Sequence, residues 1–196
     1  MWNGHPCPLL QFYPKKDALI QILDQARLKQ SGKIEMQREQ LGKWLLGAAA
    51  LSTIIVPIGV DAVILAEGHM NNPAWLPHAK LHCAMSFFAA VSLGGAALAV
   101  LTRPVTDKFS MGLATFLSCS FYIGLIAAGF WPGTSYGFIG DPVLGDFPEP
   151  QIGGITIYPN VIASVITIAI ALTGYWLTSQ VNESGKINQP LAVKDS

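Results

Sequence analysis

Four apolar stretches follow one another along the chain, at 44–66, 81–101, 111–130 and 155–177. Each holds roughly 20 residues, the number that an α-helix rising 1.5 Å per residue needs to cross a hydrocarbon core about 30 Å thick. Lipid offers no partner for an unpaired backbone N–H or C=O group, so a segment that crosses it alone is helical. The pattern predicts an all-α membrane protein, a bundle of four transmembrane helices.

A shorter apolar pattern precedes the first span. Between residues 15 and 30, apolar side chains recur at helical spacing among charged ones; they are Leu19, Ile20, Ile22, Leu23, Ala26 and Leu28. This spacing predicts an amphipathic helix that lies on the membrane surface. A soluble helix that docks on another membrane protein is the alternative. Ser31 and Gly32 interrupt the pattern, and a second, polar helix is expected to lead into the first span.

The basic residues indicate how the chain crosses the membrane. Of the twelve Lys and Arg residues, one, Lys80, lies between the first two spans (67–80, the first connection), and none lies between the last two (131–154, the third connection). The remaining eleven basic residues lie on the opposite side of the membrane, which the positive-inside rule predicts to be cytosolic. Both termini are therefore predicted to be cytosolic. The predicted regions are a cytosolic arm (1–42), a transmembrane domain (43–178) and a cytosolic tail (179–196).

Composition narrows the classes of function. Charged residues make up 12% of the chain, about half the usual share of a soluble protein, and 51% of residues are apolar. The net charge is zero, so no basic field recruits nucleic acid, and membrane lipid is the expected surrounding. The three cysteines show no C-x-x-C spacing, which argues against a disulfide framework, a zinc ribbon and a thiol relay.

Glycine and proline crowd the third connection. They are Pro132, Gly133, Gly137, Gly140, Pro142, Gly145, Pro148, Pro150, Gly153 and Gly154. Such residues favour turns, so no regular structure is expected there. The same segment is too apolar for a free linker, which predicts a loop folded back over the mouth of the bundle as a lid. A rigid crossover with only a structural role is the alternative.

Asp61 is an acidic residue inside the first apolar stretch. A carboxylate at such a position costs roughly 2.5 to 3.5 kcal/mol unless it pairs, keeps a proton or meets water. Pro57, one turn earlier, removes a helical hydrogen bond, so the helix is expected to kink just before Asp61. A kinked helix with a buried acid can open a polar cavity. An acid that merely hydrogen-bonds to a neighbouring helix is the alternative.

Three of the four histidines, His69, His78 and His82, lie in or beside the first connection. Pro77 suits the first turn of the second helix, which would place His78 and His82 one turn apart on one face. Two imidazoles at this spacing can bind one metal ion or pass one proton. A metal site would need further ligands, from Asp61, Glu67 or His69. A purely structural hydrogen-bond network is the third interpretation.

The stretch from His69 to His82 resembles a poorly characterised family of four-helix membrane proteins from bacteria and fungi. The family signature is H-x-x-N-P-x-W-P-P-H-A-K-x-H; Leu76 replaces the first proline of the pair, so this chain fits H-x-x-N-P-x-W-x-P-H-A-K-x-H. The matching residues are His69, Asn72, Pro73, Trp75, Pro77, His78, Ala79, Lys80 and His82. The resemblance covers roughly 44 to 178 and implies the four-helix fold.

The same resemblance implies no particular reaction. Members of the family are sometimes labelled acetyltransferases, but nothing in these residues requires acyl transfer. Cys83, Ala84 and Met85 follow His82 where the family leads us to expect a polar residue, so the chain departs from the family pattern at this end of the motif.

The leading hypothesis is a membrane-embedded enzyme that performs acid–base chemistry on a lipophilic small molecule. Isomerisation, cyclisation or epoxide opening needs a proton donor and a proton acceptor, here Asp61 with His78 or His82, near the non-cytosolic face. The residues expected to bind substrate are His69, Glu67, Trp75, Tyr122, Tyr158 and Asn160. No cofactor is required, although His78 and His82 with Asp61 or His69 can accept a divalent metal. The alternative is a non-enzymatic accessory subunit of a larger membrane complex, docked through the N-terminal arm.

Overall fold

The computed structural model describes residues 16–103, 107–138, 140–144 and 149–187. Its elements, in chain order, are α1 (Lys16–Ile58), a π-helical segment (Gly59–Ile64), a 3-10 turn (Ala66–Gly68), α2 (Pro77–Leu101), α3 (Lys108–Ala128), the short strands β1 (Gln151–Ile152) and β2 (Ile155–Thr156), and α4 (Pro159–Ile187). The irregular start of the predicted arm, residues 1–14, and the end of the predicted tail lie outside the described residues.

Four helices in the described part of the chain are long and apolar enough to cross a membrane. They are Ala18–Ile64, Pro77–Leu101, Lys108–Ala128 and Pro159–Gln180. The four predicted spans are thereby confirmed, and the protein is a multi-pass, all-α membrane protein. Trp44, Trp131 and Trp176 are exposed near the ends of the apolar stretches 44–66, 111–130 and 155–177, where amphipathic rings meet the headgroup region of a bilayer.

The predicted break at Ser31 and Gly32 is wrong, because α1 runs through both residues without interruption. A glycine inside a helix costs only about 1 kcal/mol relative to alanine, which neighbouring helix-forming residues offset. By its contacts the chain divides into two compact units, Met1–Gln37 and Arg38–Ser196. In the described part of the first unit, α1 exposes a series of apolar side chains: Leu19, Ile20, Ile22, Leu23, Leu28, Ile34 and Met36.

Close backbone approaches hold the spanning helices of the second unit together. A Cβ atom on Gly42 of α1 would lie 2.7 Å from the Gly174 carbonyl oxygen of α4, and one on Gly94 of α2 would lie 2.6 Å from the Ala50 carbonyl oxygen of α1. These glycines therefore permit contacts that any larger residue would prevent, as is common between membrane helices.

Polar side chains also join the helices inside the protein. The Thr53 hydroxyl of α1 donates to the Ser118 carbonyl oxygen of α3 at 3.0 Å. Ser52 Oγ lies 2.9 Å from the Tyr122 hydroxyl and 3.3 Å from Thr167 Oγ1, so one serine connects α1 with α3 and α4. These contacts fix the helix from which the Asp61 segment continues.

The end of the first span changes helix type where a kink is predicted. The α-helix ends at Ile58, directly after Pro57, and the chain continues as the π-helical segment that contains Asp61. The Leu65 N–H donates to the Val60 carbonyl at 2.7 Å. This hydrogen bond joins residues five apart, as in a π-helix, whereas those of an α-helix join residues four apart. π-Helical turns inside spans are often found at functional sites because they re-aim side chains.

The third connection contains more regular structure than its composition predicts. Strands β1 and β2 form a small antiparallel hairpin, with Ile152 opposite Ile155. Gly153 and Gly154 between them have φ angles of +59° and +80°, the left-handed conformation that tight hairpin turns require at both central residues. The expectation of no regular structure is therefore wrong at the hairpin, and the fourth span begins at Pro159, not at residue 155.

Candidate functional site

An acid and an imidazole meet at the end of the first span. Asp61 Oδ1 lies 3.6 Å from His69 Nε2, and the two side chains are 29% and 20% exposed. The π-helical segment carries Asp61, and the 3-10 turn that follows returns the chain so that His69 faces it. The distance is slightly longer than a hydrogen bond, as is common for catalytic pairs without substrate.

The second ring nitrogen of His69 determines where its proton lies. Nδ1 is 3.0 Å from the Leu65 carbonyl oxygen, which can only accept a hydrogen bond, so Nδ1 carries the hydrogen and donates it. In the neutral ring, Nε2 then has a free lone pair and faces Asp61. Asp61 Oδ1 and His69 Nε2 therefore face each other, 3.6 Å apart and without a direct hydrogen bond.

Aromatic contacts hold the His69 ring in place. Its centroid lies 5.8 Å from that of Trp75 and 5.1 Å from that of Phe138, both in edge-to-face geometry. Gly68 precedes His69, and a Cβ atom there would overlap the Leu144 side chain and lie 2.9 Å from Phe138. The third connection thus packs directly on the turn that presents His69.

The Asp61–His69 pair faces a cavity of about 820 Å³, large enough for a drug-sized ligand. Its lining combines the end of the first span, the first and third connections, and the facing parts of α3 and α4. Six aromatic residues contribute to it: Trp75, Phe121, Tyr122, Tyr136, Phe138 and Tyr158. Three carboxyl groups line the cavity, and the described lining contains no lysine or arginine.

The buried side-chain amide of Asn72 joins the first connection to the third by a hydrogen bond. Asn72 is fully buried; its Nδ2 donates to Asp141 Oδ2 at 3.1 Å, and its Oδ1 accepts from the Ala74 N–H at 2.9 Å. Asp141 Oδ1 accepts from the N–H groups of Leu144 and Val143, each at 2.9 Å. The hydrogen bonds from Leu144 and Val143, then that from Asn72, lower the pKa of Asp141, so this carboxylate is charged at neutral pH.

Glu149 is the third carboxyl residue of the lining. Its Oε1 is buried, and no donor in the described part of the chain lies within hydrogen-bond distance of it. The carboxyl group packs over Gly137, where a Cβ atom would overlap it. A buried oxygen without a donor costs about 1 to 3 kcal/mol, more if it is charged.

Six of the nine residues predicted for the site line the cavity: Asp61, His69, Trp75, Tyr122, Tyr158 and Asn160. Glu67, His78 and His82 do not line it, and all three are exposed. The Tyr122 hydroxyl is already bonded to Ser52, and Asn160 Nδ2 donates to the Tyr136 carbonyl at 3.0 Å. The polar groups of Tyr122 and Asn160 therefore already have hydrogen-bond partners within the protein, and their main contribution is to the shape of the cavity.

His78 and His82 form a pair of their own. Their Nε2 atoms lie 3.0 Å apart and their rings are edge to face, as predicted for two residues one helical turn apart. Among the residues that the structure describes, His, Cys, Asp and Glu side chains form no group of three or more suited to one metal ion. The predicted metal site with Asp61 or His69 as a third ligand stays a prediction.

Six residues of the lining were not among the predicted site residues, although they carry polar or aromatic groups: Phe121, Ser135, Tyr136, Phe138, Asp141 and Glu149. All except Phe121 belong to the third connection. The signal that could have identified them is the presence of aromatic and acidic side chains in a Gly- and Pro-rich loop predicted to cover the bundle mouth.

No protein-family model, curated protein or solved structure matches this chain. The resemblance of the His69–His82 stretch to a four-helix family therefore stays a prediction, and the site is interpreted from its own geometry.

Proposed function

We propose that the protein is a membrane-embedded enzyme that performs acid–base chemistry on a lipophilic small molecule. The observation that supports it most is the Asp61–His69 pair, which faces a cavity of about 820 Å³ from a π-helical segment. Isomerisation, cyclisation and epoxide opening are the reactions that such a pair suits, because each moves a proton to or from a substrate atom.

The hydrogen bond of the His69 ring decides which group of the Asp61–His69 pair acts as the base. Leu65 holds the Nδ1 hydrogen of His69, so Nε2 accepts a proton as the base. Asp61 donates a proton when it is protonated and stabilises the imidazolium when it is ionised. We assign the base to His69 and not to His78 or His82, because His69 lines the cavity.

The aromatic and aliphatic lining favours a lipophilic substrate. The cavity lies at the end of the helices formed by the first and third connections, away from Arg103 and Lys108 at the other end of α2 and α3. With the termini cytosolic, as the distribution of basic residues predicts, this end faces the non-cytosolic side. The third connection would then act as a lid under which substrate enters.

Solvent labelling tests this function for a substrate of any structure. Purified protein in lipid nanodiscs would be incubated with a lipophilic extract in deuterated water, and the products analysed by mass spectrometry. We expect one class of compound to gain deuterium or to change structure. A parallel incubation in ¹⁸O-labelled water detects epoxide opening by the oxygen that the product gains.

Asp61→Asn should abolish the labelling while the protein stays folded, because asparagine keeps the shape of the side chain without its proton. Glu67→Gln is the matched control, since Glu67 is exposed and outside the cavity. Labelling that persists in Asp61→Asn would remove Asp61 as the acid, and an absence of labelling in the native protein would contradict the enzymatic function.

A second candidate, an accessory subunit of a membrane complex, rests on the apolar side chains that α1 exposes before Gln37. Such a surface can cover a partner helix or lie in the lipid headgroup region. Under this alternative, deletion of residues 1–37 should abolish co-purification of a partner, whereas Asp61→Asn should not affect it.

A further inference from the structure

The ionisable groups around the cavity are mostly acidic. Asp61, Asp141 and Glu149 contribute carboxyl groups, His69 contributes an imidazole, and the described lining has no lysine or arginine. An anionic ligand such as a fatty acid or a phosphate ester would therefore meet repulsion and no fixed counter-charge. The lining favours a ligand that is neutral or positively charged.

Two of the three carboxyl groups already have partners. Asp61 lies beside His69, and Asp141 is bonded to the backbone of Leu144 and Val143 and to the side chain of Asn72. Glu149 differs, because its Oε1 has no donor within the described residues. Since Oε1 is buried against Gly137, a ligand in the cavity would reach this carboxyl group at its other oxygen, Oε2. A hydrogen-bond donor that carries a positive charge is the ligand group that would stabilise this carboxylate most.

Aromatic rings share the cavity lining with Glu149. The Tyr136 and Tyr158 rings lie 5.4 Å apart at an angle of 49°, and Gly137, on which Glu149 packs, follows Tyr136 directly. Aromatic rings attract ammonium groups through their quadrupoles, most strongly where water is excluded. Carboxylate and aromatic rings together form a common arrangement for binding organic cations.

We propose that the ligand of this cavity is a lipophilic amine, bound as its ammonium form with the nitrogen at Glu149 and the apolar part along the aromatic lining. This rests on the proposed function, since it names the substrate class for the same cavity. Binding needs no turnover, however, so the two proposals can fail separately.

A matched series of probes tests the charge preference. Phenylbutylamine, phenylbutanol and phenylbutyrate share one skeleton and differ in the charged group. Their affinities for the full chain in nanodiscs of neutral lipid would be measured at neutral pH and constant salt, with empty nanodiscs subtracted. We expect the amine to bind at least about tenfold more tightly than the alcohol, and the carboxylate more weakly than both.

Glu149→Gln should remove most of the preference for the amine over the alcohol, and Glu67→Gln should leave it unchanged. The trimethylammonium analogue of the amine keeps the charge without an N–H donor, so its affinity in the native protein separates charge from hydrogen bonding and does not depend on any variant. It should bind more tightly than the alcohol but less tightly than the primary amine.

Equal affinity of the native protein for amine and alcohol, or no binding of either, would overturn the proposal. So would a Glu149→Gln variant that is folded and keeps the full amine preference. If the preference is found but Asp61→Asn still gives labelled products, the amine site stands and the assigned chemistry fails. If the amine preference is absent but labelling occurs and is lost in Asp61→Asn, the assigned chemistry stands and the amine site is rejected.

Discussion

Two histidine-containing pairs lie near the same end of the protein, and they differ in spacing, exposure and the elements that position them. His78 and His82 are four residues apart on α2, contact each other and are exposed. Asp61 and His69 are eight residues apart, belong to different elements and face a cavity. The first pair is produced by helical spacing alone, whereas the second requires a π-helical segment, a 3-10 turn and the packing of a distant loop.

This difference shows what regular spacing leaves open. Residues at i and i+4 of a helix are neighbours whatever surrounds the helix, so their proximity gives no information about a site. Asp61 and His69 meet only because Leu65 fixes the His69 ring and the third connection packs on Gly68. A pair that the fold positions through several independent contacts is the stronger candidate for chemistry.

The largest expected effect is the loss of activity when a histidine of the Asp61–His69 pair, and not of the His78–His82 pair, is replaced. His69→Gln should lower the rate of solvent labelling by about 10²-fold or more, because it removes the base. His82→Gln should leave the rate unchanged, since His82 does not line the cavity. Quantitative mass spectrometry of the labelled product gives both rates. A large loss in His82→Gln with normal labelling in His69→Gln would reverse the assignment of the two pairs.

Some features of the fold and of the site could be predicted from the sequence, and others could not. The spans, the change in the helix after Pro57 and the unusual position of Asp61 follow from hydropathy and from the missing N–H of proline. Hydropathy cannot give the direction in which a histidine points after a turn. It also cannot show that Asn72 bonds to Asp141, because those residues are 69 positions apart. The non-local contacts of the third connection decide which acid and which imidazole face the cavity.

The second prediction concerns the bond between the two connections. Asn72→Leu keeps a similar volume but removes the amide that bonds to Asp141 and Ala74. We expect a loss of about 2 to 3 kcal/mol in the free energy of unfolding, since the replacement leaves polar groups without partners. Asn71→Leu is the matched control, because Asn71 is adjacent and exposed. Chemical unfolding in mixed micelles measures both, and equal stability of the two variants would mean that the amide bond contributes little.

A smaller effect is expected where the third connection packs on the first. Gly68→Ala would place a Cβ atom in overlap with Leu144 and 2.9 Å from Phe138, so these side chains must move. Overpacking of this kind costs about 1 kcal/mol or more. Gly95→Ala, on α2, meets nothing within 4 Å and should be neutral or slightly stabilising. Thermal unfolding in detergent compares the two, and a stable Gly68→Ala protein would show that this contact is loose.

The smallest predicted effect is the pH dependence of the Asp141 contact. Hydrogen bonds from Leu144, Val143 and Asn72 hold the pKa of Asp141 below its ordinary value of 3.8, and the positive charge of a protonated His69 acts in the same direction. A depressed pKa in the folded state means that the contribution is complete above the pKa of the unfolded chain and is lost as pH falls through the lower, folded value. Asp141→Asn should therefore unfold at a lower temperature than the native protein at neutral pH. The difference should shrink only below about pH 3.8.

Thermal unfolding of the native protein and of Asp141→Asn, followed from neutral pH to pH 3, measures this difference. Asp107, whose pKa is also lowered, mainly by Ser110, is present in both proteins, so its titration cancels in the comparison. A difference that does not change between neutral pH and pH 3 would show that the charge of Asp141 does not stabilise the third connection. In that case its hydrogen bonds alone hold the loop beside His69.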